Sequence, residues 1–554
     1  METSIAEKRT ELLKRMHKAF IPAQSRQIIL PDGRMGTWTY DFRPLLMDGN
    51  TLDLICDVLW EELKGELPYQ VGGLETAAIA LVSGMLVKAR SEGEDLTGFY
   101  VRKSRRKDGL QKQVEGNLTD EKVILFDDAL NSARSFERQI KALEAEGKKV
   151  YAICALIRYR EKSFYSTFQE RGIKLINIFT LDDFPESGGI KKHEHEHPAS
   201  PPQERFVLNW KFQSADPSYF YVLPKSAPAI DDERVYFGAD NGTFWALKQS
   251  DGSVAWSYRT LFGAGKKRIF SSPAVYKGMV YFGAYDGNFY ALDAKTGEKK
   301  WIYREADWVG SSPCIAEDLN TVFIGLEFGL WRKQGGIAAL DAKTGEKKWW
   351  QQFDTFAHSS PAYSKKLGMV VIGSSSGEVR AFDARTGTLR WSHKAEKAVR
   401  AGFAFDEERG YVCFGSEDRF IYVLDARTGA EVHKIETLEP IYSTPLVYKG
   451  RLYFGVLDKR MFCIDLADGK VLWTAWAQSR VFSTPIIIDN HLFYGSNDGR
   501  LYELDAETGK EISYFQVTER IVNKVAYNAK TKLLFLPTYA NELYCLQYKT
   551  ADHT

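Results

Sequence analysis

The sequence has almost no excess of charge of either sign: 74 lysines and arginines face 73 aspartates and glutamates, a formal charge of +1. That balance excludes a global pull toward nucleic acid or an anionic membrane surface, so any anion binding has to be built locally. Cysteine is sparse as well. Cys56, Cys154, Cys314, Cys413, Cys463 and Cys545 stand singly, with no CxxC, no adjacent pair and no zinc-ligand spacing. This excludes a disulfide framework and predicts buried apolar thiols in a reducing compartment. No apolar run reaches membrane-spanning length. The first twenty residues carry charges every few positions, with Ile5, Leu12, Leu13, Met16 and Phe20 at helical spacing, which predicts an amphipathic helix rather than a signal core. The expectation is a cytoplasmic protein with neither a membrane nor a nucleic acid as partner.

At 554 residues the chain is too long for one ordinary core. Residues 1–185 alternate helical and strand patterns, as an α/β domain does. Lys122 to Phe126 (KVILF) reads as a buried parallel strand, Ser135 to Gly147 as the helix after it, and Val150 to Ile157 as the next strand. Residues 186–204 are rich in glycine, proline and charge and form a linker. His193, His195 and His197 alternate with glutamates there, a conceivable metal set. A solvated spacer is the expectation, because a loose segment lacks the surrounding contacts that orient ligands.

From residue 205 to 554 the chain repeats itself. Blocks such as YFGAYDGNFYALDAKTGEKKW recur, with turn glycines at Gly252, Gly297, Gly345, Gly387, Gly429, Gly469 and Gly509. A spacing of about 40 to 48 residues with four short strands per unit is the signature of propeller blades. In Asp-x-x-Thr-Gly the aspartate accepts backbone N–H groups and the glycine takes positive φ, and the tryptophan that closes each unit fills space between sheets. Ile521 to Leu546 supplies three strands without a closing tryptophan strand, whereas Phe206 to Phe212, containing Trp210, supplies one strand without a blade. Together they predict an eighth blade closed by both segments, which removes free sheet edges.

The segment that carries chemistry is VILFDDALNSARS, Val123 to Ser135: a buried strand, two carboxylates at its carboxyl end, a turn of small residues, then a helix. Asp127 and Asp128 fall where open α/β sheets place ligands and suit ribose hydroxyls, and the turn and helix start offer N–H groups to a phosphate. Here the sequence resembles the type I phosphoribosyltransferases, orotate phosphoribosyltransferase most closely. YDFRPLL (Tyr40 to Leu46) is similar to that family's early strand and hood, VGGLETAAIA (Val71 to Ala80) to its pyrophosphate loop, and VRKSRRKDGLQKQVEG (Val101 to Gly116) to its catalytic loop. The resemblance implies Mg²⁺-dependent chemistry on phosphoribosyl pyrophosphate (PRPP), with no metal held by protein side chains alone. It implies catalytic roles for Lys103, Arg106, Asp127 and Asp128. It also implies PRPP or nucleotide contacts at Gly72, Gly73, Glu75, Thr76, Arg102, Lys103, Asn131, Ser132, Arg134 and Ser135, and a homodimer through this domain. The sequence departs from the family where Asn131-Ser132-Ala133-Arg134 replaces Thr-x-Gly-Thr, where Asp108 replaces a histidine, and where Ala77 replaces the last glycine of the pyrophosphate loop.

The repeats resemble the pyrroloquinoline-quinone (PQQ) type of propeller found in quinoprotein alcohol dehydrogenases and in a non-enzymatic outer-membrane assembly lipoprotein. The adjacent-cysteine disulfide of the quinoproteins is absent, so quinone-dependent oxidation is not expected. Arg268, Arg480 and Arg520 occupy equivalent repeat positions, with His358, Arg400 and Tyr442 close by in theirs, and converge on one face as a pocket for an anion or an acidic peptide. The fold expected is therefore two-domain, an α/β type I phosphoribosyltransferase fold followed by an all-β eight-bladed propeller. The activity expected is phosphoribosyl transfer, with the propeller recruiting a protein partner. The rival is a catalytically degenerate nucleotide or PRPP sensor on an interaction scaffold, and a stress or defence effector fits the same architecture by analogy.

Overall fold

The apolar run KVILF is a central strand in the computed structural model of the chain, which describes residues 4–22, 38–75, 77–102, 113–131, 133–187, 205–214, 226–261, 268–329 and 333–549. Two units are present: Met1–Pro201 with Gln516–Thr518, and Pro202–Phe515 with Glu519–Thr554. Residues 188–204, with the three linker histidines, lie outside the described residues.

The first unit is built on a parallel sheet of β1 (Tyr69–Gly73), β2 (Lys122–Leu130), β3 (Val150–Arg158) and β4 (Lys174–Thr180), hydrogen-bonded in that order. Helices α1 (Ile5–His17), α2 (Gly49–Leu63) and α3 (Ala77–Ser91) belong to one side of it, and α4 (Arg134–Ala145) to the other. Alternation along β2 explains why its stretch from Val123 to Phe126 is uniformly apolar. Ile124 and Phe126 enter the core that contains Leu12, Met16 and Leu59, while Val123 and Leu125 enter the core that contains Phe136 and Ile140. A strand covered on both faces has no position left for a polar residue. Helix α1 is the amphipathic N-terminal pattern, started by a capping box in which Ser4 Oγ accepts the Glu7 N–H and Glu7 accepts the Ser4 N–H at 2.8 Å.

The second unit is a propeller of eight four-stranded antiparallel sheets. Seven are continuous in sequence. The eighth joins Ala526–Asn528, Leu533–Pro537 and Glu542–Tyr548 to Phe206–Gln213, with Trp210 opposite Cys545. The seven turn glycines all adopt φ between +71° and +77°. In the turns Asp293 and Asp341 each accept two backbone N–H bonds. What fixes these glycines is the neighbouring blade. A Cβ on Gly297 would fall 2.6 Å from the Trp256 ring, and one on Gly345 2.6 Å from Trp301. Each of these indoles also donates its Nε1–H to a carbonyl of the same turn, Trp256 to Ala294 at 3.0 Å and Trp301 to Ala342 at 3.2 Å. The tryptophan is thus an inter-blade bolt rather than filler within its own sheet. Blade five carries His433 at this place, stacked on Gly469 with Nε2 3.2 Å from the Leu466 carbonyl oxygen.

Two substitutions in one blade separate backbone strain from packing. Gly278 has φ +73° and open space where a Cβ would go, so Gly278→Ala costs only the left-handed conformation, about 1–2 kcal/mol. Gly297→Ala adds displacement of Trp256 and is expected to cost about 1–3 kcal/mol more. Equal losses in urea unfolding would show that the tryptophan contact contributes nothing.

Candidate functional site

Strand β2 outruns its neighbour. Its pairing with β1 ends where Gly73 meets Phe126, but pairing with β3 continues to Leu130 opposite Arg158. Asp127 and Asp128 therefore lie at the carboxyl end of β2, as the sequence suggested, and still within its pairing with β3. β3 keeps the backbone extended, and the end of β1 leaves one flank open. Both side chains are half-buried. Asp127 Oδ1 accepts the Asp128 N–H at 3.0 Å, and Oδ2 accepts the Ser135 hydroxyl from α4 at 3.0 Å. Burial, followed by the adjacent Asp128 charge, raises the Asp127 pKa, and burial raises that of Asp128. Arg43, from the hood segment and itself paired with Asp41 at 2.8 Å, is close enough to favour the Asp128 carboxylate.

The turn between β2 and α4 is held from outside. Arg160 Nε donates to Asn131 Oδ1 at 3.1 Å, and the Tyr165 hydroxyl reaches the Leu130 and Asn131 carbonyl oxygens at 2.8 Å each. Ala133 enters the helix at φ +59° and no side chain caps α4. The glycine of the related motif is missing, yet the left-handed bend that a glycine would favour is kept. The α4 N-terminus consequently presents backbone N–H groups without a side-chain acceptor. Ser132 lies outside the described residues, and of Arg134 only the backbone is described.

The loop after β1 packs against the same edge. A Cβ on Gly72 would lie 2.2 Å from the Phe99 ring, and one on Gly73 2.1 Å from Ala78 Cβ. Both glycines are therefore required for closing loop and helix together, whatever else they do. Glu75 and Arg102 are brought within 3.9 Å, and Arg102 stands the same distance from Glu115. Thr76 and residues 103–112, including Lys103, Arg106 and Asp108, lie outside the described residues. Arg43, Tyr159 and Arg160 are additions from the structure: Tyr159 is near enough for the Asp128 charge to raise its pKa, after the larger effect of burial. Two other clefts of this unit, of about 750 and 740 Å³, are lined by Asp120, Lys148 and Lys149, or run along β4, and contain neither aspartate.

In the propeller a cavity of about 340 Å³ is lined by His358, Arg400 and Tyr442 but not by Arg268, Arg480 or Arg520. The three arginines sit two residues earlier in each entry segment. Their carbonyl oxygens accept N–H groups of Tyr285, Asn497 and Tyr539 at 2.8–3.0 Å. Among the described residues no cluster of three His, Cys, Asp or Glu could hold a metal ion, and no helix is long and apolar enough to cross a membrane.

Known proteins divide along the same line as the two units. Orotate phosphoribosyltransferase of Rhodopirellula baltica is 29% identical over 168 residues, 29% of this chain and 86% of that protein. These similarities fall on the N-terminal part. The crystal structure of BamB from Moraxella catarrhalis superimposes with a TM-score of 0.51 at 16% identity, covering 62% of this chain and all of that one. Quinohemoprotein alcohol dehydrogenase from Comamonas testosteroni gives 0.52 at 15% identity over 64% of this chain and 78% of its own. At such identities the last two establish the propeller fold alone. The family described as outer membrane protein assembly factor BamB matches residues 208–371, 375–525 and 449–550. The chain belongs to that family through its eight-bladed PQQ-like propeller, and fuses to it an N-terminal domain that resembles orotate phosphoribosyltransferase.

Proposed function

We propose that the N-terminal unit binds PRPP and transfers its phosphoribosyl group to a nitrogenous base, or runs the reverse reaction, while the propeller recruits a protein partner. The observation that carries this reading is the pair Asp127 and Asp128, half-buried at the open flank of β2 and tied through Ser135 to the uncapped start of α4. Carboxylates there accept ribose hydroxyls, and the N–H groups of the Ala133 bend donate to the 5′-phosphate. The ring nitrogen of the base attacks C1, the C1–O bond to pyrophosphate breaks with its electron pair leaving on oxygen, and the N–H proton of the base passes to the departing pyrophosphate. Arg102, with Lys103 and Arg106 from the catalytic loop, carries the charge of the departing pyrophosphate. Mg²⁺ suits a site with two carboxylates and, among the described residues, no third ligand, because most of its oxygens would come from PRPP and water; when bound it would neutralise the leaving group. A homodimer through this unit belongs to the same proposal.

Calorimetric titration with Mg²⁺ and PRPP, and with nucleoside monophosphates, tests the reading; heat and a thermal shift are expected, and neither appearing sinks it. A sensor that binds without turnover is favoured by one feature, the methyl group of Ala133 at the phosphate bend. Pyrophosphate release screened over bases separates the two. Ala133→Gly is expected to leave stability within about 1 kcal/mol, because relief of the left-handed strain offsets lost burial and chain entropy. It should tighten binding of nucleoside monophosphates severalfold; weaker binding would place the phosphate elsewhere.

A further inference from the structure

Before the innermost strand of most blades the chain repeats a polar step: Ser272-Pro273, Ser312-Pro313, Ser360-Pro361, Thr444-Pro445 and Thr484-Pro485. The hydroxyls link blade to blade. Ser272 Oγ accepts the Ala227 N–H at 2.9 Å, Ser312 Oγ the Ser272 N–H at 2.9 Å, Ser360 Oγ the Ser312 N–H at 3.0 Å, and Thr444 Oγ1 the Gly402 N–H at 2.9 Å. Ala227, Ser272, Ser312, Ser360, Gly402, Thr444 and Thr484 thus mark one ring around the propeller, and the eighth place is Lys524. Each bonded hydroxyl serves as an acceptor, so its own hydrogen remains to be donated. None of the four finds an acceptor among the described residues.

The serine, threonine and lysine places of this ring line the 340 Å³ cavity, together with Phe270, Phe482, His358 and Arg400 from two residues before the step. The basic side chains differ in one respect. Arg400 Nε donates to Glu417, which also accepts the Tyr442 hydroxyl at 2.9 Å, and His358 Nδ1 lies 3.0 Å from Glu327. Lys524 has neither a hydrogen bond from Nζ nor an ion pair among the described residues. Solvent reaches it through the cavity, but protein surrounds it closely enough that burial alone pulls its pKa down. The hydroxyl hydrogens around it add donors rather than acceptors. What the cavity lacks is an acceptor.

We propose that the axial cavity of the propeller binds a small organic anion, its carboxylate or phosphate seated on Lys524 and the hydroxyl ring and its apolar body against Phe270 and Phe482. The volume is at the lower end for small-molecule sites. The site is independent of the N-terminal reading and stands if that reading fails. Titration of the full chain with phenyl phosphate, phenylacetate and citrate tests it. At least one is expected to bind, with affinity reduced tenfold or more by Lys524→Met and kept within about threefold by Lys524→Arg. Heat that survives Lys524→Met unchanged arises outside the cavity and overturns the proposal, as does the absence of binding by all three.

Discussion

Asp128→Asn will reduce Mg²⁺-PRPP binding by a hundredfold or more while leaving the fold as stable as before or more so. Two charge-assisted hydrogen bonds to a ribose diol, at about 1.5–3 kcal/mol each, account for such a loss. The gain in stability follows from the crowding of two half-buried carboxylates. Asp127 has its pKa raised in the folded state, first by burial and then by Asp128. The stability this confers is fully present below the unfolded value of about 3.9 and is lost as pH rises through the folded value. Removing the Asp128 charge should flatten that decline. Calorimetry and denaturant unfolding between pH 4 and 8 measure both. A variant that loses binding and stability together would make the pair structural, and one that keeps binding would end the proposed ribose contact.

Glu503→Ala should weaken the propeller by about 3–5 kcal/mol, the cost of stranding a buried ionic partner. At the junction of blades seven and eight the tryptophan bolt is missing: Ser513 stands where other blades carry the indole. The turn it would stack on does not exist either, because the last two strands of blade eight come from opposite ends of the unit. A polar cluster takes over. Glu503, fully buried, accepts Arg205 at 2.8 Å, the Tyr548 hydroxyl at 2.7 Å and the Ser513 hydroxyl, with His491 Nδ1 at 2.8 Å. Burial alone would raise the Glu503 pKa, but His491, Ser513, Tyr548 and Arg205 outweigh it and hold the carboxyl below its ordinary value. Its contribution is therefore present above the unfolded value of about 4.3 and lost as pH falls through the folded one. Tryptophan emission during denaturation reports this, most of the 13 tryptophans lying after residue 205. A loss below about 1 kcal/mol would mean that strand pairing alone closes the ring.

Much of this was legible in the residues. The run KVILF announces a strand buried on both faces because no polar residue interrupts it, and the Asp-x-x-Thr-Gly turns announce blades because only glycine tolerates their backbone. The tryptophans were visible as repeat markers, but their contact with the next blade's glycine was not, since that glycine is 36 to 44 residues away in sequence and adjacent only after the sheets pack. The extension of β2 through Asp127 and Asp128 was hidden for a similar reason: its pairing partner is Ala155 to Arg158 on β3. The arginine positions of the entry segments were read as pocket residues, whereas the cavity is lined two residues later.

Composition, periodicity and motif spacing determined that there are two kinds of fold, eight blades and one acidic strand end, because these depend on local backbone preference and on which residues must leave water. Tertiary packing decided which groups share a site. It put a left-handed alanine at the bend before α4, gathered Arg205 and Tyr548 around Glu503, and set Lys524 into a ring of hydroxyls, since burial and charge pairing arise only when segments distant in sequence are brought together.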